Sequence, residues 1–246
     1  MFRSSLTKIY YVTLKDLKTY YLKPPLISWG IIMPLALVFA FYLKNPQGIR
    51  SIIPGLIGMV ILFGSTSMEG VVITFEKRVG TLERLLLAPL SKKILLLGKM
   101  MSGVIFGLLM GFLFLVISFF MFNLNTQKLG ETLILMIFSA TSSAALGMFV
   151  ASSVKEVFEA MTLFNFFRFP MIFICGVFIP LEAMPSMIKY LAYFLPLTYS
   201  VDGLRISLLN QPGVFPMALN IALLIAFTLF FFWLSLIMLE RRLRQE

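Results

Sequence analysis

Histidine is absent from the 246-residue chain, and Cys175 is its only cysteine. Without histidine the commonest general base and metal ligand is missing. One cysteine forbids an intramolecular disulfide and a zinc site built from several Cys and His. Charge is scarce as well: 13% of residues are Asp, Glu, Lys or Arg, against about 25% in an ordinary soluble domain. The balance is apolar, with 59% hydrophobic residues, 26 Phe, 16 Met and a mean hydropathy of +0.95. This composition excludes a soluble globular protein and weakens most hydrolase and metalloenzyme readings.

A bilayer core of about 30 Å is crossed by about 20 apolar residues in helix. Six such runs lie between charged or turn-rich breaks, at 26–43, 51–74, 100–122, 132–152, 160–180 and 217–239. With no water in the bilayer to satisfy the backbone, these runs are expected to be helices. The polar breaks are short except for 75–99 and 181–216. The expectation is an all-α polytopic membrane protein forming a single transmembrane domain over 1–246. No repeat of the inverted-transporter kind is evident.

Net charge is +10, from 21 Lys and Arg against 11 Asp and Glu. The cations alternate in density from break to break. Arg3, Lys8, Lys15, Lys18 and Lys23 precede the first run, Lys77, Arg78, Arg84, Lys92, Lys93 and Lys99 fill the second-to-third break, and Lys155, Arg241, Arg242 and Arg244 fall on the same side. The opposite side carries only Lys44, Arg50, Lys128, Lys189 and Arg205. The positive-inside rule then puts both termini in the cytoplasm. The basic excess is topology, and there is no basic soluble domain to bind nucleic acid.

The first 25 residues do not read as a signal peptide, because the polar stretch is long and no small-residue cleavage site follows the first apolar run. They read as an interfacial helix, with Leu6, Ile9, Tyr10, Thr13, Leu17, Tyr20 and Tyr21 at helical spacing and Lys8, Lys15 and Lys18 mostly elsewhere. Ser4 or Ser5 is placed to cap its start and Pro24-Pro25 to end it. Such a helix either anchors the chain at the membrane surface or also takes part in gating.

The 75–99 segment opens Phe75-Glu76-Lys77-Arg78-Val79-Gly80-Thr81-Leu82-Glu83-Arg84-Leu85-Leu86-Leu87-Ala88-Pro89-Leu90-Ser91. Thr81 is expected to cap a short helix after Gly80, with Glu83 in the favourable first turn. Leu82, Leu85 and Leu86 form one apolar edge, Pro89 ends the helix, and Ser91 can cap the next, which runs on into the third span. A rigid charged elbow between two membrane helices follows.

This segment resembles the cytoplasmic loop of the membrane permeases of type-2 ABC exporters, which reads Glu-x-x-x-Gly-Thr-Leu-Glu-x-Leu-Leu and then Pro-Leu-Ser. Glu76, Gly80, Thr81, Leu82, Glu83, Leu85, Leu86, Pro89, Leu90 and Ser91 match it. A second family-like stretch runs from Cys175-Gly176 through Pro180, Pro185 and Leu195-Pro196-Leu197-Thr198-Tyr199 to Asp202-Gly203-Leu204-Arg205. With the six runs and the N-terminal helix, the resemblance covers essentially the whole chain, Arg168 standing outside the pattern. It implies that residues 4–23 are a connecting helix. It also implies that the Thr81–Ala88 helix, with Glu76, Arg84 and Pro89 about it, is a coupling helix docking on an ATPase. Gly176, Pro180, Pro185, Pro196, Thr198, Tyr199 and Arg205 then belong to an outer helical hairpin between the fifth and sixth spans. The family works as two six-span subunits, identical or not, with two ATP-binding subunits that hold ATP and Mg. The expected place is a prokaryotic inner membrane and the expected activity export.

The residues agree that ATP chemistry lies elsewhere. A P-loop needs Gly-x-x-x-x-Gly-Lys-[Ser/Thr], whereas Gly98-Lys99 is followed by Met100 and preceded by Lys93 where the first Gly belongs. No catalytic residues and no metal site are expected. In the 181–216 segment, apolar pieces at 185–195 and 197–205 flank Pro196, and neither is long enough to span. Met184, Ile188, Leu191 and Leu195 keep helical spacing, which suits either a hairpin dipping into the outer leaflet or an interfacial loop. Gly103, Gly107 and Gly111, and Ser139, Ser143 and Gly147, permit close helix approach, within one subunit or between two. Glu69 and Arg168 lie at similar depth, about two turns inside their spans, and either pair or snorkel to the headgroups. The Phe and Met content suits a greasy path for drug-like or lipid-like cargo, or simply helix packing. Two further function classes stand beside the exporter: a self-sufficient secondary transporter, which lacks a repeat and a proton relay here, and a membrane enzyme, for which no cluster of acids or bases converges.

Overall fold

The computed structural model describes residues 2–21, 32, 35–43, 48–87, 90–122, 124, 128–154 and 156–243, and every regular element among them is helical. Helix α1 (Phe2–Asp16) runs into a π turn at Leu17–Tyr21, and α2 covers residues 35–43. Then follow α3 (Ile49–Arg78), α4 (Thr81–Leu87), α5 (Lys92–Phe122), α6 (Leu129–Ser153) and α7 (Val157–Ile174). A 3₁₀ turn at Leu181–Ala183 leads to α8 (Ser186–Tyr193), α9 (Pro196–Leu209) and α10 (Met217–Leu243). Helices α3, α5, α6, α7 and α10 are long and apolar enough to cross a membrane. Residues 26–31, 33 and 34 of the expected 26–43 run, with Lys23, Pro24 and Pro25, lie outside the described residues.

Element boundaries differ from expectation where a cap or turn, rather than hydropathy, decides them. Helix α5 begins ahead of the apolar run at residue 100, where the expected Ser91 cap puts it. The Ser91 hydroxyl accepts the Ile94 amide at 3.3 Å, and with neither Pro nor a positive-φ Gly beyond it the helix propagates from Lys92 to Phe122. Helix α3 likewise extends beyond 51–74 at both ends, to 30 residues, about 45 Å at the α-helical rise. Helix α7 stops at Ile174, short of Pro180, because the chain turns at Cys175 and Gly176, where φ is +86°. At the start of the chain, Ser4 and Ser5 lie inside α1 rather than capping it.

Helix α3 is the axis of the bundle, packing against α5, α6, α7 and α9. Its Ile53, Leu56, Ile57, Met59, Ile61 and Leu62 are all buried. The close approach to α5 is made by the expected glycine ladder. A Cβ at Gly103 would lie 2.9 Å from the Ser65 carbonyl oxygen, one at Gly107 1.9 Å from Ser65 Oγ, and one at Gly111 2.5 Å from the Ile61 side chain. Gly147 of α6 meets Thr66 in the same way, at 2.9 Å from its Cα. Both ladders pack helices within one chain. Helix α10 leans on α6 and α9 and turns Leu229, Phe230 and Trp233 outward.

Candidate functional site

Gly80 ends the α3 to α4 turn with φ +69°, a backbone that favours glycine, and its carbonyl accepts the Arg84 amide. Gly80 therefore holds the position before the helix, and Thr81 is its first residue rather than its cap. Leu85 points inward and packs with Val12 of α1 and Leu95 of α5. Arg84 is exposed and Leu87 is 87% exposed, so α4 presents these two side chains outward. Pro89 lies outside the described residues, as do the side chains of Leu82, Glu83 and Leu86.

Glu76 is not on the outer surface. It is fully buried at the end of α3, accepting hydrogen bonds from Lys15 of α1 and from Lys99 of α5. Asp16, also buried, lies 2.9 Å from the Lys15 ammonium and 3.3 Å from that of Lys99. Two cations and two anions thus close a neutral network joining three helices. Burial alone would pull Lys15 down, but its hydrogen bond to Glu76 and the adjacent Asp16 more than offset this and hold its ammonium above the ordinary lysine range. Beside it, the Thr13 hydroxyl donates to the Gly98 carbonyl at 2.8 Å, and Val12 sits where a Cβ on Gly98 would be. The face of α1 buried against the bundle is Val12, Thr13 and Asp16, while Leu6 and Tyr10 of the expected interfacial stripe are exposed. Asp16, Lys15 and Lys99 were not singled out by the sequence pattern. The available signal is that Asp16 is the only acid before Glu69, set in a basic helix.

At the opposite end the two expected short pieces form α8 and α9, with Pro185 just before α8 and Pro196 at the first position of α9. The Thr198 hydroxyl donates to the Ala192 carbonyl at 2.5 Å and the Tyr199 hydroxyl to Tyr193 at 2.7 Å, stitching the two helices together. Arg205 donates to the Gly176 carbonyl at 3.2 Å and lies 4.0 Å from Glu182. Pro180 precedes the 3₁₀ turn. Asp202 accepts the amides of Val214 and Phe215 and the side chain of Asn220, fixing the following segment to the start of α10.

Midway along the bundle, Glu69 and Arg168 are both buried on neighbouring helices, but they make no ion pair. The Arg168 Nε donates to Thr66 Oγ1 at 2.8 Å, and the guanidinium lies over Phe63 and Phe164, 5.0 and 4.6 Å from the ring centroids. Aromatic faces and a hydroxyl take the place of the expected carboxylate. Both carboxyl oxygens of Glu69 lack a hydrogen-bond partner. Among the described residues no group of three or more Cys, Asp or Glu gathers as a metal site.

A family model described as ABC-2 type transporter matches residues 7–209. The chain is 28% identical over 218 residues to YbhS of Escherichia coli K12, a probable multidrug ABC transporter permease. The alignment covers 85% of this chain and 57% of that relative, so the chain spans little more than half its length. It is 25% identical over 190 residues to the E. coli K12 inner membrane transport permease YadH, covering 77% of this chain and 74% of YadH. A shorter match, 36% over 77 residues, is to Nodulation protein J of Sinorhizobium fredii, 31% of this chain and 29% of that protein. With the match running from α1 to the end of α9 over a bundle of long apolar helices, the chain belongs to the ABC-2 type transporter family and is an integral, multi-pass membrane protein.

Proposed function

We propose that this chain is the membrane subunit of an ATP-driven exporter, in which a separate cytoplasmic ATPase moves α4 and the bundle responds by alternating access. The supporting observation is the placement of α4. It is a short helix set off by a positive-φ glycine, its inner side packed on α1 and α5 and its outer side offering Arg84 and Leu87. Glu76, Gly80, Thr81, Leu82, Glu83, Leu85, Leu86 and Pro89 belong to this coupling segment, Glu76 through the ion network that ties the end of α3 to α1 and α5.

In this reading 1–246 is one permease domain with six spans, the first over 26–43, and both termini in the cytoplasm of a prokaryotic inner membrane. Two permease subunits, identical or different, work with two ATPase subunits, which hold the ATP and Mg; this chain has no ATPase site of its own. Helices α8 and α9, with Gly176, Pro180, Pro185, Pro196, Thr198, Tyr199 and Arg205, form the outer hairpin dipping into the membrane. The role in the name of YbhS makes hydrophobic drugs the first cargo class to assay.

Co-expression with an ATPase from a neighbouring reading frame tests the coupling. Wild type is expected to co-purify with the ATPase and stimulate its hydrolysis, and Arg84→Glu with Leu87→Asp to abolish both. The double variant is expected to melt as wild type does, because both side chains are exposed. Full coupling in that variant, or transport by proteoliposomes without ATPase and ATP, would overturn the proposal.

A further inference from the structure

Glu69 lies on α3 where it meets α5 and α6, 1% exposed, and neither carboxyl oxygen has a partner. Its room is made by two glycines. A Cβ at Gly103 would stand 2.5 Å from its Oε1, and one at Gly147 3.2 Å from its Cβ. The site therefore accommodates the carboxyl without supplying a side-chain donor, the Gly103 amide being the backbone group that faces it.

Every nearby charge is committed elsewhere. On α5, Lys99 binds Asp16 and Glu76; on α1, Lys15 and Asp16 belong to that same network; on α3, Glu76 does too. On α7, Arg168 bonds Thr66 and covers two aromatic rings. On α9, Asp202 holds the 214–220 segment and Arg205 holds Gly176. On α6, the buried polar residues of the middle turns are the neutral Ser139, Ser142 and Ser143.

An ionised carboxylate with no ion-pair partner and only a backbone amide facing it is far costlier to bury than a neutral acid. The acid brings its own donor, and Ser65 lies one turn away on α3. The Ser65 carbonyl oxygen and Glu69 Oε1 crowd the same point above Gly103, and Ser65 Oγ is itself without a partner. A metal cation is the weaker fit, since Ca²⁺ takes about six to eight oxygens and Mg²⁺ about six. We propose that Glu69 is an internal proton-binding site, occupied while α3 and α5 are closed on each other. Opening that seam hydrates the carboxyl, and the proton is released to the entering water.

Infrared spectroscopy of the purified chain in lipid nanodiscs at neutral pH tests this without ATPase or cargo, so it stands apart from the proposed transport role. Wild type is expected to show the C=O stretch of a protonated acid, shifted in D₂O and unchanged when sodium replaces potassium. Glu69→Gln is expected to lose that band and Glu69→Asp to move it. If the glutamine variant does not fold, the wild-type spectrum still decides: the band must be present at neutral pH. No acid band in wild type, a band that persists in a folded Glu69→Gln variant, or a sodium-dependent rise in melting temperature that this variant loses would overturn the proposal.

Discussion

Lys99 is among the most completely buried large side chains of the molecule, and it is charged. Removing one member of a buried ion network leaves its partner unpaired, which typically costs about 3–5 kcal/mol. Lys99→Met is expected to lower the melting temperature sharply, and Asp16→Asn in the same background to recover most of the loss. Cys175 supplies the readout, because it is buried in the folded chain and its reaction with a thiol dye reports unfolding. Lys15 carries a pH signature. Its pKa is higher folded than unfolded, so its contribution is complete below the ordinary lysine range and fades as pH rises through the folded value. A spin label on Tyr10→Cys, an exposed site on α1, is expected to stay ordered at neutral pH and to loosen only in strong alkali. In Lys15→Met it is expected to be loose already at neutral pH. None of this network was legible in the sequence. Asp16 and Lys99 are 83 positions apart, and nothing local marks a contact formed only when α1 lies down on α5.

Between α3 and α4, Gly80 is the one residue whose backbone dictates its identity at the elbow. Gly80→Ala forces a side chain into the left-handed region, at about 1–2 kcal/mol. It is expected to lower the melting temperature modestly and the stimulation of ATPase activity more, because α4 is re-aimed. At the α3 to α5 seam, Gly107→Ala drives a methyl into Ser65 Oγ, an overpacking that typically costs about 1–3 kcal/mol. Ser65→Ala in that background is expected to recover part of it, measured as a double-mutant cycle in thermal unfolding. The elements were largely readable: the apolar runs gave the long helices, Ser91 marked the start of α5, and Pro185 and Pro196 marked α8 and α9. Their exact ends were not. Hydropathy reports which residues avoid water, whereas a helix stops at a turn, and the turn at Cys175 and Gly176 ends α7 at Ile174, six residues before the apolar run ends at Pro180.

For the molecule entire, the distribution of Lys and Arg makes a prediction that fusion reporters check. Alkaline phosphatase joined after Gln211 is expected to be active outside the cytoplasm, and the same enzyme joined after Leu87 to be inactive. The reverse pattern would invert the proposed orientation. Charge counting needs no side-chain contacts, so an orientation can be proposed from sequence alone, whereas the fates of single charges such as Glu69 and Arg168 cannot. Helix α5 runs unbroken from Lys92 to Phe122 and touches α3 most closely at Gly103 and Gly107, near its middle. It is thus a lever resting on a fulcrum, with arms of about 20 Å and 26 Å at the α-helical rise. A tilt of about 10° would carry one tip about 3 Å one way and the other about 4 Å the opposite way. In the proposed coupling a pull at α4 would become a push near the far mouth, with no intermediate part needed to reverse it.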